Sequence, residues 1–298
     1  LAPLGLAVRT LTRTPVCSVV HGLDLTYPNR VYQTIFVQAL LRMDRIIAVS
    51  NETKRRALAR GADPARCRHV PNGVRVPVEE IEAATIECVD RSRSPRTVLT
   101  VGRLVKRKGI AWFVQHVVPQ LPPGVCYVVA GDGPERAAVE SAVRALGKPG
   151  RVEVLGSVTE AEKWRLMREA YAFVQPNIRV AGDMEGFGIV ELEAAAMALP
   201  VVAADLEGLR DAIRDGENGL LVPARDAAGF AYTLIEFLND AERATSLGKR
   251  ARGVVLDRFR WEAIAGLYVT ELREVVSEAT SAGGRADESS RRERRWRR

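Results

Sequence analysis

Residues 97–118 read TVLTVGRLVKRKGIAWFVQHVV. A short β-branched run, Thr97–Val101, meets a basic turn bracketed by Gly102 and Gly109. Ile110–Val118 then carries the length and apolar face of a helix. The same grammar continues downstream. Val125–Ala130 precedes Glu135–Leu146, Val152–Leu155 precedes Glu160–Ala170, and Tyr171–Gln175 precedes Ile189–Ala198. Val201–Ala204 precedes a short helix near Leu209–Ile213. Strands that read as nearly continuous apolar runs are buried on both faces, and a helix after each one predicts a parallel sheet covered on both sides. The expectation is a doubly wound α/β domain over residues 94–260, with ligands at the C-terminal ends of its strands.

The front segment repeats the pattern more weakly. Val16–Val20 reads as a strand ending at His21-Gly22, Val31–Arg42 as a helix, and Ile46–Ser50 as a second strand. Glu52–Arg60 reads as a helix and Arg68–Val70 as a last strand before the turn Pro71-Asn72-Gly73. Two strand–helix units and one strand are too few for a covered parallel sheet. Residues 1–93 therefore predict a second Rossmann-like domain that is incomplete, and a chain opening at Leu1 without Met reads as N-terminally truncated. Residues 77–95, charged and holding Pro77 and Pro95, suit an inter-domain connection. Ala227–Leu238, Ala241–Val254 and Trp261–Glu278 predict helices, and residues 281–298, rich in Arg and Ser, predict a disordered basic tail.

The bulk numbers narrow the class. At 298 residues and 47% hydrophobic, the chain can bury the cores of two domains. No stretch approaches the roughly 20 apolar residues of a membrane-spanning helix, and Leu1–Thr14 lacks the basic start of a signal peptide. Cys17, Cys67, Cys88 and Cys126 are too widely spaced for a disulfide framework or a zinc site, which predicts reduced thiols in a cytoplasmic protein. His21, His69 and His116 are equally scattered, so no metal site is expected. The net charge of +7 is uneven: residues 1–93 hold 14 basic against 9 acidic side chains, and the tail 281–298 holds 7 Arg against 3 acids. This suits an anionic partner such as the inner face of a membrane, and equally a solvated basic surface. Arg291–Arg298 contains one aromatic, Trp296, and no recognition module precedes it, so nucleic acid is not the expected partner.

Three turns carry candidate chemistry. In Gly102–Gly109, Arg103 and Lys108 can converge on one anion, Arg as a fork and Lys as a point charge; a solvated basic loop is the alternative. Gly131-Asp132-Gly133-Pro134-Glu135-Arg136 invites a dinucleotide reading, but Arg136 stands where a third glycine belongs, which argues against NAD. Its modest reading is a tight turn where a nucleotide approaches backbone at Gly131 and Gly133. The third stretch, Asp183 to Ala196, runs from Gly186, Phe187, Gly188 and Ile189 into an Ala-rich helix, whose free N-terminal amides would hold phosphate. Glu185 lies before that helix and Glu193 inside it. A partly buried Glu193 needs hydrogen-bond donors, which ribose hydroxyls or an internal Arg would supply.

Glu185 and Glu193, separated by seven residues and followed by an Ala-rich helix and Leu199-Pro200-Val201-Val202, resemble the signature of the retaining GT-B-fold glycosyltransferases of the family 4 type, glycosyl transferases group 1, relatives of glycogen and sucrose synthases. Gly102-Arg103…Lys108-Gly109, Gly131-Asp132-Gly133 and Asp215–Val222 resemble its other landmarks in order, as do Val20-His21-Gly22 and Pro71–Val74 in its front domain. The resemblance spans about residues 16–275. It implies two Rossmann-like domains and transfer of a sugar from a UDP- or GDP-sugar to a carbohydrate, lipid-linked or small-molecule acceptor, with retention and without a metal or other cofactor. It implies that Arg103, Lys108 and the amides of Gly188 and Ile189 hold the donor diphosphate, that Glu193 binds ribose, and that Glu185 binds the sugar. It further implies that His21 faces the sugar and that the helix at residues 261–280 braces the front domain. Ala198 stands where the family usually has Gly. Alternatives are an epimerase of the same fold or a non-catalytic sugar-nucleotide-binding protein. A pyridoxal-phosphate phosphorylase finds no lysine in matching context.

Overall fold

The computed structural model describes residues 1–77, 79 and 96–296. Cys88, Pro95, most of the expected connection and Arg297–Arg298 lie outside the described residues. The chain divides into two compact units, Leu1–Val70 with Glu262–Arg298, and Pro71–Trp261. The expected domain boundary near residue 94 therefore differs from the observed one.

In the first unit, helix α1 (Ala2–Thr12) forms where the sequence had suggested no element; a proline in its first turn suits a helix start. Strands β1 (Cys17–Val20), β2 (Arg45–Ala48) and β3 (Cys67–His69) make a parallel sheet in the order β1-β2-β3. All four residues of β2 are buried, as a central strand covered on both faces requires. Between β1 and β2, after the short helix α2 (Leu23–Thr26), the expected regular helix is a π-helical turn, Tyr32–Val37, running into α3 (Gln38–Leu40). Helix α4 (Asn51–Ala59) starts at Ser50, whose Oγ accepts the Thr53 N–H at 3.0 Å.

The final helix, Trp261–Trp296, packs Ile264 with Ile47 and Val70. The Arg45 side chain, 1% exposed, reaches Glu271, Glu274 and Glu278 of that helix at 3.5, 3.7 and 3.1 Å. The backbone stays helical through residues 281–296, where a disordered tail was expected. Composition misled there. Arg, Glu and Ala are poor core formers but strong helix formers, and a packed preceding helix removes the nucleation cost.

The second unit holds six parallel strands: β4 (Arg96–Val101), β5 (Val125–Ala130), β6 (Val152–Gly156), β7 (Ala172–Gln175), β8 (Val201–Asp205) and β9 (Leu220–Pro223). Their order is β6-β5-β4-β7-β8-β9. This is the 3-2-1-4-5-6 arrangement of doubly wound sheets, with its reversal between β4 and β7. Helices α5 (Ile110–His116), α6 (Arg136–Leu146), α7 (Glu160–Glu169), α8 (Ile189–Ala196), α9 (Leu209–Ala212), α10 (Ala227–Asn239) and α11 (Ala241–Arg258) accompany the strands. Leu99, Val129, Phe173 and Val202 are fully buried in the sheet, and Phe113 and Phe230 meet edge to face above it. Strand β9 was not anticipated. It is four residues long, half-buried and ends in Pro223, as sheet edges allow.

Candidate functional site

The reversal of strand order brings two loops together at the C-terminal ends of β4 and β7. After β4 the chain turns through Gly102 and a short 3-10 segment, Lys106–Lys108, to Gly109 at φ 66°. A Cβ on Gly109 would lie 2.0 Å from the Pro176 carbonyl oxygen, so only glycine lets this turn close on the exit of β7. The Ile178 N–H donates to the Arg107 carbonyl at 2.8 Å, tying the two loops. Gly131, at φ 149°, plays the same part after β5: a Cβ there would lie 1.9 Å from the Gly102 carbonyl oxygen. Gly131 and Gly133 are thus required by turn-on-turn packing. Against the first turn lies a cavity of about 150 Å³ lined by Leu104, Ile110, Trp112 and Ile178 together with the charged Lys106 and Glu135.

Lys108 and Glu185, both buried, pair at 2.6 Å between Nζ and Oε2. Asn177 Nδ2 donates to the same oxygen at 2.9 Å, and Arg107 stands 3.6 Å from it while also reaching Asp183 at 3.3 Å. Burial pushes the Glu185 carboxyl up, but Lys108, Arg107 and these hydrogen bonds outweigh it and hold the group below the ordinary carboxylate range. Its backbone N–H donates to Glu207 Oε2 at 2.8 Å, and its carbonyl accepts from Gly208. The loop entering α8 is therefore braced from the start of α9.

Gly188 caps α8, whose first amides have no intrahelical acceptor. Ile189 is partly exposed at that end, whereas Phe187 is buried against Phe259 and offers the site only its backbone. Glu193, one turn in, accepts from Lys163 Nζ at 2.9 Å. The internal partner is thus a lysine where an arginine was considered. Burial raises the Glu193 carboxyl and Lys163 counters this in part. Arg103 is exposed, apart from the buried Lys108 pair, so the two cations expected to converge are differently presented. His21 belongs to the first unit, exposed at the end of β1, with its backbone N–H on Asp24 Oδ2 at 2.6 Å.

Sequence reading passed over Arg107, Asn177, Lys163, Glu191 and Glu207. Asn177 was findable, since it follows a buried strand at its ligand-bearing end. Lys163 and Glu207 come from distant elements and leave no local trace. Among the described residues, no group of three or more His, Cys, Asp or Glu is arranged to hold a metal ion, and no helix is long and apolar enough to cross a membrane.

The family model for glycosyl transferases group 1 matches residues 89–254, and that for glycosyltransferase family 4 matches residues 1–76. The chain belongs to the glycosyl transferases group 1 family. A phosphatidyl-myo-inositol mannosyltransferase of Mycobacterium leprae is 33% identical over 254 residues, 82% of this chain and 62% of that protein. A lipopolysaccharide core biosynthesis glycosyltransferase of Rhizobium meliloti is 31% identical over 61% of this chain and 51% of its own length. This group 1 chain thus spans roughly half to two thirds of the relatives it matches. Among solved structures, Anabaena HepE with UDP and glucose superposes with a TM-score of 0.72 at 20% identity, over 94% of this chain and 75% of that one. Sucrose-phosphate synthase from Thermosynechococcus elongatus gives 0.74 at 25%, over 93% and 72%. The fold is GT-B, two Rossmann-like domains, with three strands in the first unit described here.

Proposed function

We propose that the protein transfers a sugar from a nucleoside-diphosphate sugar to an acceptor hydroxyl with retention of configuration. The observation that carries this is the meeting, at the strand-order reversal, of Lys108, the N-terminus of α8 and the Glu185 carboxylate. A diphosphate bound there meets backbone amides, a positive helix end and cations, which stabilise charge as the leaving group departs. In this reading protein groups do what a metal ion does elsewhere. Lys108 and Arg103 face the phosphates, with amides of Gly188 and Ile189. Glu193, held by Lys163, accepts from ribose. Both bonds given above to Glu185 reach Oε2, so Oε1 is the atom for a sugar hydroxyl.

The acceptor oxygen attacks the anomeric carbon as its bond to the phosphate oxygen breaks. The acceptor proton passes to that departing oxygen, and the nucleoside diphosphate leaves. The relatives named for phosphatidylinositol and lipopolysaccharide core support a lipid-linked or glycan acceptor, met at a membrane face by the basic front segment. The test is nucleotide release and product mass with UDP-glucose and GDP-mannose as donors and extracted membrane lipid as acceptor, with the product anomer read by NMR. A folded chain that neither binds nor turns over any nucleotide sugar defeats the reading, and an inverted anomer defeats its stereochemistry.

A further inference from the structure

Glu191 is 1% exposed, and among the described residues no other residue donates a hydrogen bond to either of its carboxyl oxygens; only its own backbone N–H approaches. A buried carboxyl with no donor from another residue is costly as an anion, so its position calls for an explanation. It is the third residue of α8, counted from the cap Gly188. From that place a glutamate can reach back to the amide of the capping residue. Its Oε2 already lies beside Gly188, 2.8 Å from where a Cβ on that residue would stand.

The amide at Gly188 and the ammonium of Lys108 are the groups the proposed function assigns to the donor phosphates. We propose that Glu191 is a positioning residue that competes with the donor diphosphate through its charge: ionised, it sets a negative charge beside the Gly188 amide and draws on the field of Lys108, and protonated, it leaves that field to the ligand. The inference rests on the donor-site reading above.

The charges around it fit this role. Burial pushes the Glu191 carboxyl up to about 7, with Lys108 and its own backbone N–H opposing and Glu185 and Glu193 adding. Lys108 comes from the turn after β4, Glu185 from the loop before α8, and Glu193 from the next residues of α8 itself. From α9, the atoms at the same point are the side chains of Leu209 and Ala212, which carry no charge. The residues leading out of β7, Gln175 and Asn177, are neutral amides. A proton on Glu191 thus removes a negative charge lying behind the helix end that must receive a phosphate.

The experiment is calorimetric titration of the full chain with UDP-glucose and GDP-mannose between pH 6 and 8.5, where the diphosphate of either probe keeps its charge. Wild-type affinity should fall about tenfold as pH rises through 7. Glu191→Gln should bind with no such slope, and about tenfold more tightly than wild type at pH 8.5. Glu191→Leu, which has no oxygen, should also lose the slope. An unchanged slope in these variants overturns the proposal. Infrared spectroscopy without any ligand supplies the independent arm: a protonated-carboxyl band at pH 6, absent from Glu191→Gln, is expected, and its absence from wild type overturns the proposal. A band that behaves as expected in a chain that binds neither probe places the failure in the donor-site reading.

Discussion

Lys108 Nζ lies 2.6 Å from Glu185 Oε2, and this one ion pair joins the loop after β4 to the loop after β7 where the strand order reverses. Both partners are buried, so removing one leaves the other charge stranded. Lys108→Ala should therefore cost about 3 kcal/mol of stability and abolish binding of UDP-glucose and GDP-mannose. Urea unfolding and calorimetry check the two effects, and retained affinity would count against the assignment. The pH course follows from the depressed Glu185 carboxyl. Its stabilisation is present above the ordinary carboxylate value and is lost as pH falls through the lower folded value.

Lys163 should matter through Glu193. Without the 2.9 Å hydrogen bond, a carboxyl already raised by burial rises further and accepts ribose hydroxyls less well. Lys163→Ala should weaken nucleotide binding about tenfold, with the loss growing as pH falls toward 5. Lys163→Arg should restore most of it. Equal affinities at all pH values would show that the pair is only structural.

At the end of α8, Ala198 sits at φ 56°, a left-handed conformation that a Cβ disfavours. Its carbonyl lies so close to Gly248 of α11 that a Cβ there would approach to 2.0 Å, which pins the turn in place. Ala198→Gly should therefore stabilise the protein by about 1 kcal/mol. Thermal unfolding reads this directly, and a destabilised variant would mean that the lost methyl packing outweighs the relieved backbone.

Glu191 gives a stability effect of opposite pH sense to Glu185. Its folded value near 7 lies above the ordinary 4.5, so the folded state holds the proton more tightly than the unfolded chain. The contribution is fully present below about 4.5 and is lost as pH rises through 7, a difference of about 3 kcal/mol. Glu191→Gln should melt several degrees above wild type at pH 8 and close to it at pH 5. The same offset at both pH values would contradict this.

Much of this was legible in the sequence because it was local. Strand–turn–helix repeats from residue 96 fixed the parallel sheet, and the glycines at 102, 109, 131 and 188 marked the turns. The order of the strands was not written in any one segment, nor was the partner of any buried charge. Glu185 read as a candidate ligand, yet of the groups that hold it only Asn177 shares its loop, and Lys108 and Glu207 come from two other elements. The final helix was misjudged beyond residue 281 because low hydrophobicity was taken for disorder, although propensity and continuity with a packed helix carry it to Trp296.

The bridge between Arg45 and three glutamates more than 220 residues later has a consequence for synthesis. The first unit is assembled from the segments before and after the second, and the second is an insertion whose own ends meet, Val74 donating to Phe259 at 2.7 Å. On a ribosome, residues 71–261 are all available before the helix that completes the first unit has emerged. The second unit can therefore close first, while Arg45 waits for its counter-charges, and a chain cut after residue 261 would carry one finished unit and one open one.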